Sequence, residues 1–189
     1  MAYTTVEKVK EYLGITEEAD DALLFGLIEA AQKAIDLHTR RTFEASADTT
    51  RYFDYSTEYV DGYDLWLDED LCAITTVTNG DSTAITSAQY TTVPRNDTPY
   101  YLIRILSDSG VYWTYSDEWM DAISVAGRWA YSTTAPNDVA QACVRLASFY
   151  YRQKDSPLTD VTAIEAGTVI STPGMPQDVR MILSPYVKP

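Results

Sequence analysis

Apolar residues recur at Leu23, Leu24, Leu27, Ile28, Ala31, Ala34 and Ile35, the i, i+3/i+4, i+7 spacing of a helix that buries one face. This spacing predicts a long helix between Thr16 and Arg41. Thr16 is the expected N-cap, acidic residues from Glu17 to Asp21 lie at the positive end of the dipole, and Arg40 and Arg41 lie at the other. Phe25 stands off this stripe, on the side of Glu29, Gln32 and Asp36. An aromatic there needs a cover, either a neighbouring subunit or the middle of the same chain. Upstream, Val6, Val9, Tyr12 and Leu13 form the apolar side of a short helix capped by Thr4 or Thr5 and closed by Gly14.

From about residue 44 to 132 the period changes to that of strands. Segments 51–55, 63–67, 74–78, 83–86, 89–93, 100–106, 111–115 and 122–127 alternate or run β-branched and aromatic. Asp68-Glu69-Asp70 reads as a polar corner, and Asn79-Gly80-Asp81 as a hairpin turn. Helical period returns after Pro136, with Val139, Ala142, Cys143, Leu146, Ala147 and Tyr150 as a stripe that Ala140, Val144 and Tyr151 widen. So wide a stripe implies contact on two sides. Residues 158–174 show no period and read as a long excursion. A last short helix carries Val179, Ile182, Leu183 and Tyr186 on one side and must stop or kink at Pro185. The expectation is an α+β fold: a helical bundle formed by both chain ends (1–43 and 133–189), with an inserted antiparallel β block (44–132) as a small sandwich or open barrel.

Charge changes the functional picture more than composition does. The 189 residues carry 28 acidic and 14 basic side chains, a net of −14. Such a surface repels nucleic acid, so a phosphate-gripping role is disfavoured. The acidity either keeps the chain soluble or lines a path along which a polyanion slides without sticking. Cys72 and Cys143 sit in apolar contexts and read as buried hydrophobes. No apolar run approaches the roughly 20 residues that span a bilayer, and the N-terminus lacks the order of a signal peptide.

The search for chemistry finds little. His38, the one histidine, borders the apolar stripe, and no G-x-S-x-G elbow accompanies it. Asp61, Asp64, Asp68 and Asp70 lack the spacing of a calcium loop, and no phosphate-cradling glycine loop occurs. No catalytic, cofactor or metal residues are assigned. What stands out is a surplus of apolar and aromatic residues: Phe25, Phe149, Tyr151, Trp113, Trp119 and Tyr186. They suit an interaction protein, with Phe25, Phe149 and Tyr151 as candidate subunit contacts. Trp113, Trp119 and the tyrosines also admit a carbohydrate-binding β module, which would need them on an open platform.

Three stretches together resemble the head–tail connector (adaptor) proteins of long-tailed bacteriophages. One is Val6-Glu7-Lys8-Val9-Lys10-Glu11-Tyr12-Leu13-Gly14-Ile15 with Leu27-Ile28-Glu29-Ala30-Ala31 and Thr39-Arg40-Arg41-Thr42-Phe43. Another is the run Ile123 to Ser132 followed by Pro136-Asn137-Asp138-Val139. The third is Pro176-Gln177-Asp178-Val179 leading to Ile182-Leu183-Ser184-Pro185-Tyr186. The resemblance implies a virion structural protein of the neck, assembled in the host cytoplasm. It implies a ring, commonly of twelve copies, docked under the portal protein and extending the DNA channel. DNA would pass without specific binding, and the far side would meet a stopper or tail-completion protein; a stopper or tail-completion role for this chain itself is the nearest alternative. It also implies that the C-terminal segment engages the portal, here Val179, Ile182, Leu183, Tyr186 and Val187. No cofactor and no membrane contact are implied.

Overall fold

A computed structural model describes residues 3–154 and 174–188. The fold is α+β, with four helices and two antiparallel sheets among the described residues. The chain divides into two compact units, Arg41–Ala135 and the combination of Ala2–Arg40 with Pro136–Pro189. Nearly all of the long excursion expected at residues 158–174 lies outside the described residues.

In the helical unit, α1 (Val6–Leu13) begins at Thr5, whose hydroxyl accepts the Lys8 N–H. It ends at Gly14, at φ 73°, a conformation glycine adopts without steric cost. The long helix α2 spans Asp21–Thr39, starting four residues later than an N-cap at Thr16 would place it. Its N-cap is Asp20, and that carboxylate makes no capping bond because Tyr151 and Lys154 donate to it instead. Leu24, Ile28, Ala31, Ile35 and Thr39 are the buried row of α2, whereas Leu23, expected in the stripe, is exposed. The third helix α3 (Asn137–Gln153) buries Val139, Ala142, Cys143, Val144, Leu146, Ala147 and Ser148. This broad face meets α1, α2 and α4 (Gln177–Leu183), which accounts for the width of the stripe. After α4, Pro185 sits in a single 3-10 turn, and the Lys188 N–H returns to the Thr39 carbonyl at 3.0 Å.

The β unit holds eight strands: β1 (Thr49–Phe53), β2 (Val60–Asp61), β3 (Asp64–Leu71), β4 (Ala73–Thr78), β5 (Ala84–Ile85), β6 (Tyr90–Val93), β7 (Tyr100–Ile105) and β8 (Ile123–Arg128). They form two four-stranded sheets in the orders β1-β8-β4-β5 and β2-β3-β7-β6, and the strands do not close into a barrel. One core draws on both sheets, with Phe53, Val77, Ile123 and Val125 from the first and Leu65, Leu71, Ile103 and Ile105 from the second. Gly127 of β8 is needed for close approach, because a Cβ there would lie 2.1 Å from the Ala73 carbonyl oxygen.

Two local expectations are corrected. Asp68-Glu69-Asp70 is no corner but the second half of β3, where the register with β7 shifts between Trp66 and Leu71. Arg51 pairs with Asp68 and Glu69, and Arg41 with Asp70, so these charges are held along the strand. Residues 111–115 are no strand either. Their backbone is claimed by the buried side chain of Asn79, which donates to the Tyr112 carbonyl (2.8 Å) and accepts from the Thr114 N–H (3.0 Å).

Candidate functional site

Most of the titratable groups singled out in the sequence are engaged or buried in the structure. No group of three His, Cys, Asp or Glu side chains is placed to hold a metal ion. Asp64 is bonded to Arg104, Asp68 to Arg51 and Asp70 to Arg41. Burial pushes the Cys143 thiol up to about 12 and raises that of Cys72, so neither is a nucleophile near neutral pH. His38 is exposed near the end of α2. No described helix is long and apolar enough to cross a membrane.

The remaining candidates are surfaces. On α2 the 3.6 period sets Ala22, Gly26, Ala30, Lys33 and Leu37 opposite the buried row, with Leu23 and Phe25 on the two shoulders. Phe25 is 54% exposed and Leu37 69%. A Cβ on Gly26 would meet nothing within 4 Å, so no contact among the described residues explains a mid-helix glycine that costs about 1 kcal/mol relative to alanine. Phe149 and Tyr151 are half-buried on α3, and the Tyr151 hydroxyl is bonded to Asp20. Lys154 donates to the same carboxylate at 2.8 Å, and these two hydrogen bonds hold Asp20 below the usual aspartate range.

At the C-terminal segment the five proposed contacts separate. Val179 and Leu183 are fully buried, because their i, i+4 spacing is what seats α4 on its own unit, so neither offers a docking surface. Ile182 and Tyr186 are half-buried, with the Tyr186 hydroxyl on the Asp138 carboxylate (2.8 Å), and Val187 is exposed. Met181, which the sequence pattern did not single out, is 68% exposed on the side of α4 turned away from Val179 and Leu183. A groove of about 530 Å³ between α1 and α3 is lined by Lys8, Glu11, Tyr12, Asn137 and Gln141, and the buried Thr4 hydroxyl beside it has no hydrogen-bond partner among the described residues.

In the β unit, Trp113 is buried and its indole N–H donates to the Tyr63 carbonyl at 2.8 Å. Trp113 therefore takes no part in an open aromatic platform, whereas Trp119 and Tyr115 are exposed. Residues 41–135 hold fifteen carboxylates against five arginines and no lysine, a net of −10.

A model of the head completion protein family matches residues 2–188. The chain belongs to the head completion protein family. As a head completion protein it is a structural component of a viral particle and not an enzyme. Solved structures similar to it include a chain from the neck of an empty gene transfer agent particle, computed with C6 symmetry. The identity is 17% and the TM-score 0.58, over 96% of this chain and 88% of that one. A chain from the neck of the native particle, computed with C12 symmetry, gives 17% and 0.57, over 96% and 87%. One from the native gene transfer agent virion gives 17% and 0.57, over 96% and 88%. At this identity the likeness establishes the shared fold. No curated protein matches.

Proposed function

We propose that this head completion protein forms a ring in the neck of a viral particle, extending the DNA channel below the portal and presenting its other side to a stopper or tail-completion protein. The outer face of α2 carries the reading. Leu23, Phe25 and Leu37 are exposed apolar groups around an open Gly26, the surface a second helix needs for close approach. In a ring, the same surface meets a different one on the next copy, and rotation closes the set. A lasting seam needs about 1,000 Å² of buried area, which α2 reaches only with neighbours such as Phe149 and Tyr151. The C6 and C12 symmetry of the structurally similar necks supports a closed assembly of like copies.

Exposed Met181 and Val187, with half-buried Ile182 and Tyr186, are the portal-facing candidates that remain. The net charge of −14 supports passage of DNA without capture, since carboxylates repel phosphate.

Mass photometry of the full chain, alone and with portal protein, tests this. The expected species with portal contains about twelve copies. Phe25→Asp and Gly26→Leu should remove it while changing the stability of the single chain by no more than about 1 kcal/mol. A ring indifferent to both substitutions, or none with portal at any concentration, overturns the proposal. Binding to a tail-completion protein without binding to portal would instead favour a stopper.

A further inference from the structure

Three times among the described residues a cation lies over an aromatic ring while a carboxylate holds it. Arg51 sits 4.9 Å from the Trp129 ring and pairs with Asp68 and Glu69. Arg41 sits 5.6 Å from the Tyr131 ring and pairs with Asp70. Lys154 sits 4.1 Å from the Tyr151 ring and bonds Asp20. Ring and carboxylate each attract the cation, and the combination recurs because the contributions act together.

The loop between β7 and β8 repeats two parts of this arrangement without the third. It displays Tyr115, Trp119 and Met120, 43%, 44% and 52% exposed, with the Tyr55 ring 5.1 Å from that of Tyr115. The same loop carries Asp117, Glu118 and Asp121, and Asp54 accepts the Asp121 N–H. Among the described residues, no lysine or arginine pairs with these carboxylates or lies over these rings. Between Arg51 and Arg95, and between Arg104 and Arg128, the sequence contains no basic residue at all.

The display is rigid. Asn79 pins the loop backbone at Tyr112 and Thr114, and Gly80 packs so closely that a Cβ would lie 2.5 Å from the Thr114 carbonyl oxygen. The Tyr55 N–H donates to the Trp119 carbonyl at 2.7 Å, and Asp121, at φ 51°, is held by its N–H on Asp54. Rings fixed in place lose little entropy when a partner arrives.

We propose that this loop docks an arginine-bearing segment of another protein of the particle, whose guanidinium lies over Trp119 and Tyr115 and pairs with Glu118, Asp121 or Asp54. This contact lies in the β unit and goes beyond the ring seam proposed for α2, so loss of either leaves the other intact.

The test is a titration of the full chain with an acetylated tetra-arginine peptide, its neutral citrulline counterpart and a neutral hexasaccharide, followed by the indole N–H resonances. The arginine peptide should move the Trp119 resonance saturably and leave that of Trp66, also exposed, in place. Citrulline, Trp119→Ala and the double change Glu118→Gln, Asp121→Asn should each weaken binding at least tenfold. Tyr115→Leu, which leaves the backbone clamps alone, provides a second ring variant. Equal affinity in the ring variants would mean net charge alone attracts the peptide and would overturn the proposal. So would absence of a saturable shift, or a response to the saccharide in place of the peptide.

Discussion

The two units of this chain solve opposite problems. Residues 41–135 concentrate all four tryptophans, ten of fifteen tyrosines and −10 of the net charge, while the helical unit carries −4 and every lysine. In the β unit four of the five arginines, Arg41, Arg51, Arg104 and Arg128, are spent on its own carboxylates. In the helical unit the unmatched element is apolar: Leu23, Phe25, Leu37 and Met181 face outward. A negative, aromatic surface selects a cationic partner, whereas an apolar helix flank with a bare glycine selects another helix. The contact proposed for like copies and the one proposed for an unlike neighbour thus draw on different units of the chain.

The sharpest way to break this contrast is Gly127→Val, which forces a side chain into the Ala73 carbonyl and should cost more than about 4 kcal/mol. Near-ultraviolet circular dichroism, which reports the tryptophans, should collapse while the far-ultraviolet helical signal persists; simultaneous loss would show that the units are not separable. Leu146→Ala, fully buried on α3, should cost about 3 kcal/mol and reverse the order of loss in a urea titration. Arg41→Met withdraws the guanidinium from buried Asp70 and should cost about 3 kcal/mol, while Arg51→Met, among half-exposed partners, should cost under about 1 kcal/mol. Denaturant midpoints of the two variants give the comparison directly.

The smallest effect is one of pH, and it belongs to the helical unit. Lys154 and Tyr151 hold Asp20 low, and Arg145 holds Asp178 low. Their contribution is present above the unfolded aspartate value of about 4 and is lost as pH falls through the depressed folded values. Asp36 runs the other way, raised by burial more than the Tyr3 hydrogen bond lowers it. Its contribution is present below about 4 and is lost as pH rises through the raised folded value. Asp36→Asn should therefore flatten the stability profile between neutral pH and about 4 and leave the fall below it, as read from melting temperature against pH.

The helices were legible because their signals are local. Thr5 and Gly14 cap α1 where the sequence places them, and the Leu24–Ile28–Ala31–Ile35 row follows from period alone. The onset of α2 was less so, since Asp20 is drawn to Tyr151, 131 residues away. Strand-like composition at 111–115 misled for the same reason: Asn79, more than thirty residues upstream, decides where those backbone groups bond. At the assembly surfaces, periodicity found the apolar stripe of α4 but could not say whether the stripe faces inward. Val179 and Leu183 serve the core, and the outward residue, Met181, is the one off the stripe. Gly26 carried a signal of its own, a helix-weakening residue in the middle of the most regular segment.

The confinement of lysine to one unit has a practical consequence for mapping the assembled particle. Amine-reactive cross-linkers can attach to this chain through Lys8, Lys10, Lys33, Lys154 and Lys188, and never through residues 41–135. A cross-link from any of these side chains to a neighbour thus reports on the helical unit by construction. Carboxylates are shared almost evenly, fifteen in residues 41–135 and thirteen elsewhere, so a neighbour reached by acid-coupling reagents and never by amine-reactive ones is the one to assign to the β unit.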